Sequence, residues 1–182
     1  MADFFEELND KHHEYISKQL MFIVATAPLE GRINISPKGL DTFRIIDNNT
    51  VAYLDTIGSS NETAAHLRVD NRITIMFMSF DRTPLIMRIY GKGEALQTNS
   101  KEFKELIDLF PETAGVRQIF RINIDNLITN CGWGVPLMEN MTARSTLTKW
   151  ASGKDEAAIK EYKNNNNLKS IDGLDTGLEI EY

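Results

Sequence analysis

The chain has 182 residues, 42% of them hydrophobic and 25% charged, and carries a formal net charge of −6. That length suits one domain, and the composition is that of a globular protein able to bury a core. The acidic balance argues against a dedicated nucleic-acid or anionic-membrane binder, and no apolar run reaches the roughly 18 to 20 residues that span a bilayer. Residues 1–10 lack the basic stretch and apolar core of a signal peptide, and Cys131 is the single cysteine. Both features fit a cytoplasmic protein.

In chain order, Phe5, Leu8, His12, Tyr15 and Ile16 recur at helical spacing among acidic and basic residues, which predicts a first helix. Residues 21–27 (MFIVATA) read as a strand ending at the turn 28–31 (PLEG), and residues 32–36 as the next strand, closed by Pro37-Lys38-Gly39. A third strand is expected at 50–55 (TVAYLD). Ser59 followed by Glu62 has the spacing of a capping box, so a helix is expected there, burying Ala64, Ala65 and Leu67. Residues 72–80 and 85–96 read as two strands around Asp81-Arg82-Thr83-Pro84, and Gly91 and Gly93 suggest a bulge or a close backbone approach. Asn99 and Glu102 form a second capping pair, before a helix with Phe103, Leu106, Ile107 and Phe110 on one side. Alternation over 119–128 predicts a half-buried strand. Two short helices are expected around Leu147–Ala151 and Ala158–Tyr162, a loop at the asparagine tract 164–167, and a partly ordered acidic ending at 170–182.

Five or six strands joined mostly by short turns, interrupted by two helices, predict a mainly β (α+β) fold, an antiparallel barrel with flanking helices. The expected organisation is one domain over 1–182, with a barrel core at 21–130 and a C-terminal extension at 131–182. The GxGxxG turn of a dinucleotide fold, the GxSxG elbow and the phosphate-loop motif are all missing from the sequence.

Two segments suit an anionic or polar ring ligand. On the strand that starts at Arg32, the side chains of Arg32, Asn34 and Ser36 share one face, with Lys38 just beyond. An ordinary half-exposed strand alternates in the same way. The segment Asp55-Thr56-Ile57-Gly58-Ser59-Ser60-Asn61-Glu62-Thr63 sets small hydroxyl residues and a glycine at a helix start, where unpaired N–H groups attract anions. A plain helix cap reads the same, and Glu62 favours that bland reading because a carboxylate there competes for the same N–H groups. In Cys131-Gly132-Trp133-Gly134 the glycines would let Trp133 lie flat on a ligand, although a core or interface anchor is the commoner use of such a residue. No metal site is expected: His12 and His13 point about 100° apart on a helix, and His66 has no HxxxH partner.

The stretches RINISPKG (32–39) and VAYLDTIGSSNETAAHLRVDNRITIMF (51–77), in that order, resemble the pyridoxamine 5′-phosphate oxidase-like FMN-binding split-barrel superfamily. MRIYGKGEA resembles the next strand of that fold, and CGWGVPL followed by Ala143-Arg144-Ser145-Thr146-Leu147 and Trp150 is similar to the C-terminal signature of one branch. The resemblance implies a six-stranded antiparallel split β-barrel and a homodimer with two FMN molecules at its interface. It implies FMN contacts from Arg32, Asn34, Ser36, Lys38, Asp55, Thr56, Ser60, Asn61 and Thr63, with Trp133 and Arg144 approaching the flavin, from the partner subunit among other routes. Oxidases of vitamin B6 carry an Arg-Lys pair where this chain has Glu62 and Thr63, and they end in a substrate-gripping Trp and Arg-x-His segment that is missing here. The function implied is an FMN-dependent oxidoreductase acting on a small-molecule redox substrate that the sequence does not identify, and these departures argue against vitamin B6 oxidation. The alternatives are a flavin carrier or redox sensor, and a haem-binding relative with His66 or His12 as ligand.

Overall fold

The computed structural model of the protein describes residues 2–179. Eight strands run through them: β1 (Asp3–Phe5), β2 (Phe22–Thr26), β3 (Asn34–Lys38), β4 (Phe43–Asp47), β5 (Thr50–Thr56), β6 (Arg72–Met78), β7 (Leu85–Gln97) and β8 (Val116–Cys131). They pair antiparallel in the order β3-β2-β6-β7-β8-β5-β4, with β1 added beside β8. β3 and β4 end this path and do not pair with each other, so the sheet is open along one seam. Five helices flank it: α1 (Asp10–Ser17), α2 (Glu62–Val69), α3 (Lys101–Leu106), α4 (Thr146–Ser152) and α5 (Glu156–Asn166).

The mainly antiparallel class with flanking helices is as expected, but the strand count is eight and not six. β1 takes Phe5 out of the first helix, because Phe4 and Phe5 pair with Ile128 and Leu127 of β8. The helix itself starts after Asn9, whose side chain accepts from the N–H groups of Lys11 and His12. β4 is the other addition. It lies between the left-handed Leu40 and Asp41 and the two-residue turn before β5, on which it pairs.

β8 is the organising strand. β7 runs along one edge of it from Cys131 to Gln118, while β5 and β1 lie end to end on the other. Inward-facing residues Val24, Ile75, Ile89 and Leu127 sit directly across from one another on β2, β6, β7 and β8. With Phe22, Tyr53, Phe77 and Phe120 they form the main core. Full burial of each such side chain contributes roughly 1.5–3 kcal/mol. A smaller core forms where Phe103 and Phe110 pack on Leu54, Leu96 and Ile119. The opposite face of the sheet carries the cross-strand row Pro37, Ile23, Met76, Arg88, Ile128 and Phe4. Ile33, Ile35 and Phe4 are exposed there by 72%, 68% and 75%. Proline is tolerated in β3 because an edge strand leaves one side of its backbone unpaired.

The last third is more ordered than its composition suggests. Asn164–Asn166 continue α5, and the chain up to residue 179 folds back onto α2, burying Asn167, Ser170, Thr176 and Leu178. The remaining residues of the acidic ending, 180–182, and residue 1 lie outside the described residues.

Candidate functional site

The seam between β3 and the β5–α2 segment is where the sequence-predicted residues meet. On β3 the polar side chains lie on the core side of the sheet, because Ser36 pairs with the buried Val24. From one end to the other the stripe runs Arg32, Asn34, Ser36 and Lys38. Asn34 Nδ2 donates to Thr63 Oγ1 at 3.3 Å and to Thr26 Oγ1 at 3.4 Å. Lys38 Nζ lies 3.3 Å from Asp55 Oδ1. β3 therefore faces both Asp55 at the end of β5 and Thr63 at the start of α2.

Beyond Ser36 the seam opens into a cavity of about 360 Å³. Ser36, Lys38, Thr56, Ser59, Ser60 and Arg117 supply its polar wall, and Leu40, Leu54, Ile57 and Leu147 its apolar parts. Of the residues named from the sequence, Ser36, Lys38, Asp55, Thr56 and Ser60 line it.

Below the cavity lies a buried ionic network. Asp55 is 1% exposed, and its Oδ2 accepts from Arg117 Nε at 2.8 Å and Gln118 Nε2 at 2.9 Å. Burial by itself would raise the Asp55 carboxyl. The charges of Arg117 and Lys38 and the hydrogen bonds from Arg117 and Gln118 outweigh it and hold the pKa down at about 2. Gln118, itself fully buried, also donates to Asn61 Oδ1 at 2.8 Å, and Arg117 Nη1 donates to the Ser60 carbonyl at 2.7 Å. Asp55 in the cavity floor and Asn61 behind it thus hold the network that fixes the Ser59-Ser60 turn. Lys163, on α5, donates to the Val116 carbonyl, and burial followed by the nearby Arg117 charge lowers its pKa. This end of the seam gathers three cations around a single carboxylate, against the acidic balance of the whole chain.

Arg117 and Gln118 were not singled out from the sequence. Alternation starts to be clean at Ile119, and only the pairing of Asp55 with Gln118 across β5 and β8 turns the preceding Arg-Gln into partners of Asp55. The predicted capping box at α2 is not formed. Asn61 is the N-cap, without a side-chain cap bond, and Glu62 Oε1 instead accepts from the Ile171 backbone N–H at 2.9 Å. Arg32 stands at the far end of the stripe with its backbone N–H 2.8 Å from Asp172 Oδ2 and its guanidinium paired with the same carboxylate.

Trp133 and Arg144 are not brought into the crevice by their own chain. Trp133 is 83% exposed just past Cys131, at the opposite end of β8 from Arg117. Arg144 is exposed, three residues before the cavity-lining Leu147. The histidines are also placed away from an open cleft. His12 Nδ1 accepts from the Asn9 N–H in the α1 cap, and His66 is 1% exposed with Nδ1 3.0 Å from Thr26 Oγ1. Among the described residues no group of three or more His, Cys, Asp or Glu is placed to hold a metal, and no helix is long and apolar enough to cross a membrane.

The profile of the pyridoxamine 5′-phosphate oxidase family matches residues 8–131, which holds all eight strands except β1. The chain is also 34% identical over 192 aligned positions to the pyridoxamine 5′-phosphate oxidase family protein ustO of Aspergillus flavus, covering 96% of this chain and 77% of that one. The chain belongs to the pyridoxamine 5′-phosphate oxidase family. Solved structures agree on the fold. HupZ of Group A Streptococcus matches with a TM-score of 0.53 at 22% identity, over 66% of this chain and 91% of its own. A Lactobacillus delbrueckii protein provisionally named a pyridoxamine 5′-phosphate oxidase matches with a TM-score of 0.53 at 14% identity, over 67% and 93%. The region after residue 131 lies outside the segment that the family profile matches, although the alignment with ustO covers 96% of the chain, and it supplies Leu147 to the cavity and Asp172 to Arg32.

Proposed function

We propose that this protein is an FMN-binding oxidoreductase of the pyridoxamine 5′-phosphate oxidase family that works in the cytoplasm as a homodimer on a small-molecule redox substrate. The observation that carries the reading is the meeting of two sequence-distant polar segments, Arg32–Lys38 and Asp55–Thr63, along one seam with a cavity at its end. Its donor set suits a flavin. Ser36 Oγ is buried without a hydrogen-bond partner and is free for the carbonyl and imide edge of a ring. Lys38, Thr56 and Ser60 add donors around the same space, while Asn34 and Thr63 line the way towards Arg32. Asp55 and Asn61 support these groups from beneath.

Bound FMN would supply hydride or electron transfer at its ring, the chemistry a cofactor brings ready-made. The protein's part is binding and electrostatics. Lys38 and Arg117 in the cavity wall, with Lys163 behind them, make this end cationic and favour negative charge on the nearby ring edge. Trp133 and Arg144 of the partner subunit would complete the ring's surroundings, since neither reaches the seam of its own chain. The exposed Ile33, Ile35 and Phe4 on the outer sheet face support pairing of two copies. The burial of His12 and His66 counts against haem ligation by either. A flavin carrier would be equally yellow but would consume no reduced nicotinamide or oxygen with any candidate substrate.

The test is the visible spectrum of the purified protein, before and after incubation with FMN and gel filtration. Bands near those of oxidised flavin are expected. A colourless protein that retains no FMN overturns the proposal.

A further inference from the structure

The two cationic ends of the seam are neutralised in different ways. At the Lys38 end the counter-charge is Asp55, which is 1% exposed and held by Arg117 and Gln118 as well. That carboxylate is part of the core and cannot be exchanged for a ligand. At the Arg32 end the counter-charge is Asp172, at the tip of a hairpin in the C-terminal segment. There Ser170 N–H donates to the Leu174 carbonyl, Gly173 N–H to the Ser170 carbonyl, and Lys169 bridges Asp175. The ends of this segment are anchored by the buried Asn167, Thr176 and Leu178, but the tip is open, with Ile171 70% exposed.

Arg32 and the tip together form a seat for an oxyanion. One carboxylate oxygen takes the Arg32 backbone N–H and the other its guanidinium, the two-point grip that arginine also offers to phosphate. The seat depends on Gly31. At φ +124° this residue favours glycine, and a Cβ there would stand 2.8 Å from Asp172 Oδ2. The same tip donates the Ile171 N–H to Glu62, so it also covers the first turn of α2. The arrangement neutralises Arg32 with a carboxylate carried on an open tip.

We propose that Asp172 is an internal occupant of a phosphate seat, exchanged for the terminal phosphate of the flavin when the cofactor binds. The inference rests on the flavin reading of the seam. It makes Asp172 a specificity element. A phosphorylated flavin recovers the Arg32 contacts as it lifts the tip, whereas riboflavin leaves Asp172 in place. The chain then discriminates by the difference between the phosphate–Arg32 and carboxylate–Arg32 contacts and not by the phosphate contact alone.

The test compares FMN with riboflavin on the full chain and on Asp172→Asn, by flavin fluorescence quenching, with hydrogen exchange on the wild type as a second readout. Asp172→Asn should bind FMN about tenfold more tightly, the effect of taking the charge out of the competing carboxylate–Arg32 contact, while riboflavin affinity stays within about twofold. In the wild-type protein FMN, and not riboflavin, should speed exchange at the Ile171 and Gly173 amides. Equal effects on both flavins, weaker FMN binding to the variant, or an unchanged tip with FMN bound would overturn the proposal. If neither flavin binds either protein, the flavin reading itself fails, and titration with inorganic pyrophosphate still decides on the seat. Faster exchange at the tip supports it, and no change refutes it.

Discussion

At the scale of single residues, Asp55 is the group on which the site turns. Its carboxylate balances Arg117, which is only 4% exposed, so replacing it leaves a buried guanidinium without a counter-charge. Asp55→Asn should therefore cost about 3–5 kcal/mol in urea unfolding at neutral pH, against which a surface change such as Glu6→Gln should be nearly silent. The pH dependence has a definite sign. The folded pKa, about 2, lies below the unfolded value of about 3.9, so this stabilisation is complete above pH 4 to 5 and is lost as pH falls towards 2. Unfolding midpoints measured between pH 5 and 2.5 should fall more steeply for the wild type than for Asp55→Asn. Lys38 acts on the ligand side of the same carboxylate. Lys38→Met removes a cation from the cavity wall and should shift the reduction potential of bound flavin to a more negative value, read by redox titration. Both residues stood out in the sequence as part of polar stretches. Arg117 and Gln118 did not, because their role comes from strand register, which one sequence does not reveal.

At the scale of elements, the strands with clean alternation or long apolar runs were legible, and those with other driving forces were not. β2, β5, β6, β7 and β8 announced themselves through inward residues such as Val24, Tyr53, Ile75, Ile89 and Phe120. β1 is a strand only because the far half of β8 offers it a free edge, a tertiary cause without local signal. The asparagine run looked like loop chemistry, yet it continues α5 up to a buried Asn167 whose Nδ2 donates to the Gly58 carbonyl at 2.9 Å. Gly91 was read as a bulge or a close approach, and it is both. The register slips between Tyr90 and Gly91, and a Cβ on Gly91 would lie 2.3 Å from the Asn123 carbonyl oxygen. That obstacle is backbone in a paired strand and cannot rotate away. Gly91→Ala should lower stability by about 1–3 kcal/mol, as over-packing does, while Gly134→Ala, with nothing within 4 Å of its Cβ, should leave the unfolding curve nearly unchanged.

At the scale of the whole molecule, the sheet has one face closed over a core and one that its own chain leaves partly bare. The bare face continues across strands: Ile35 pairs with Ala25, Ala25 with Thr74, and Thr74 with Tyr90, beside the row from Pro37 to Phe4. Exposed apolar residues scattered singly would need no explanation, but a contiguous set on an edge strand invites association. Strand β3 joins the two halves of the problem, since its polar side faces the seam and its apolar side faces outward. A second copy resting on Ile33 and Ile35 would therefore press on the strand that carries Asn34, Ser36 and Lys38. Assembly and cofactor binding should rise and fall together. Ile35→Lys places a charge among the exposed apolar residues of the edge strand without touching the seam, because residues 35 and 36 point to opposite sides. Light scattering after gel filtration should give a dimer mass for the wild type and a monomer mass for Ile35→Lys, with an unchanged circular dichroism spectrum. The variant should also lose FMN affinity although every seam residue is intact. A monomeric variant that holds FMN as tightly as the wild type would mean that each chain completes its own site, and would remove Trp133 and Arg144 of the partner from the proposal.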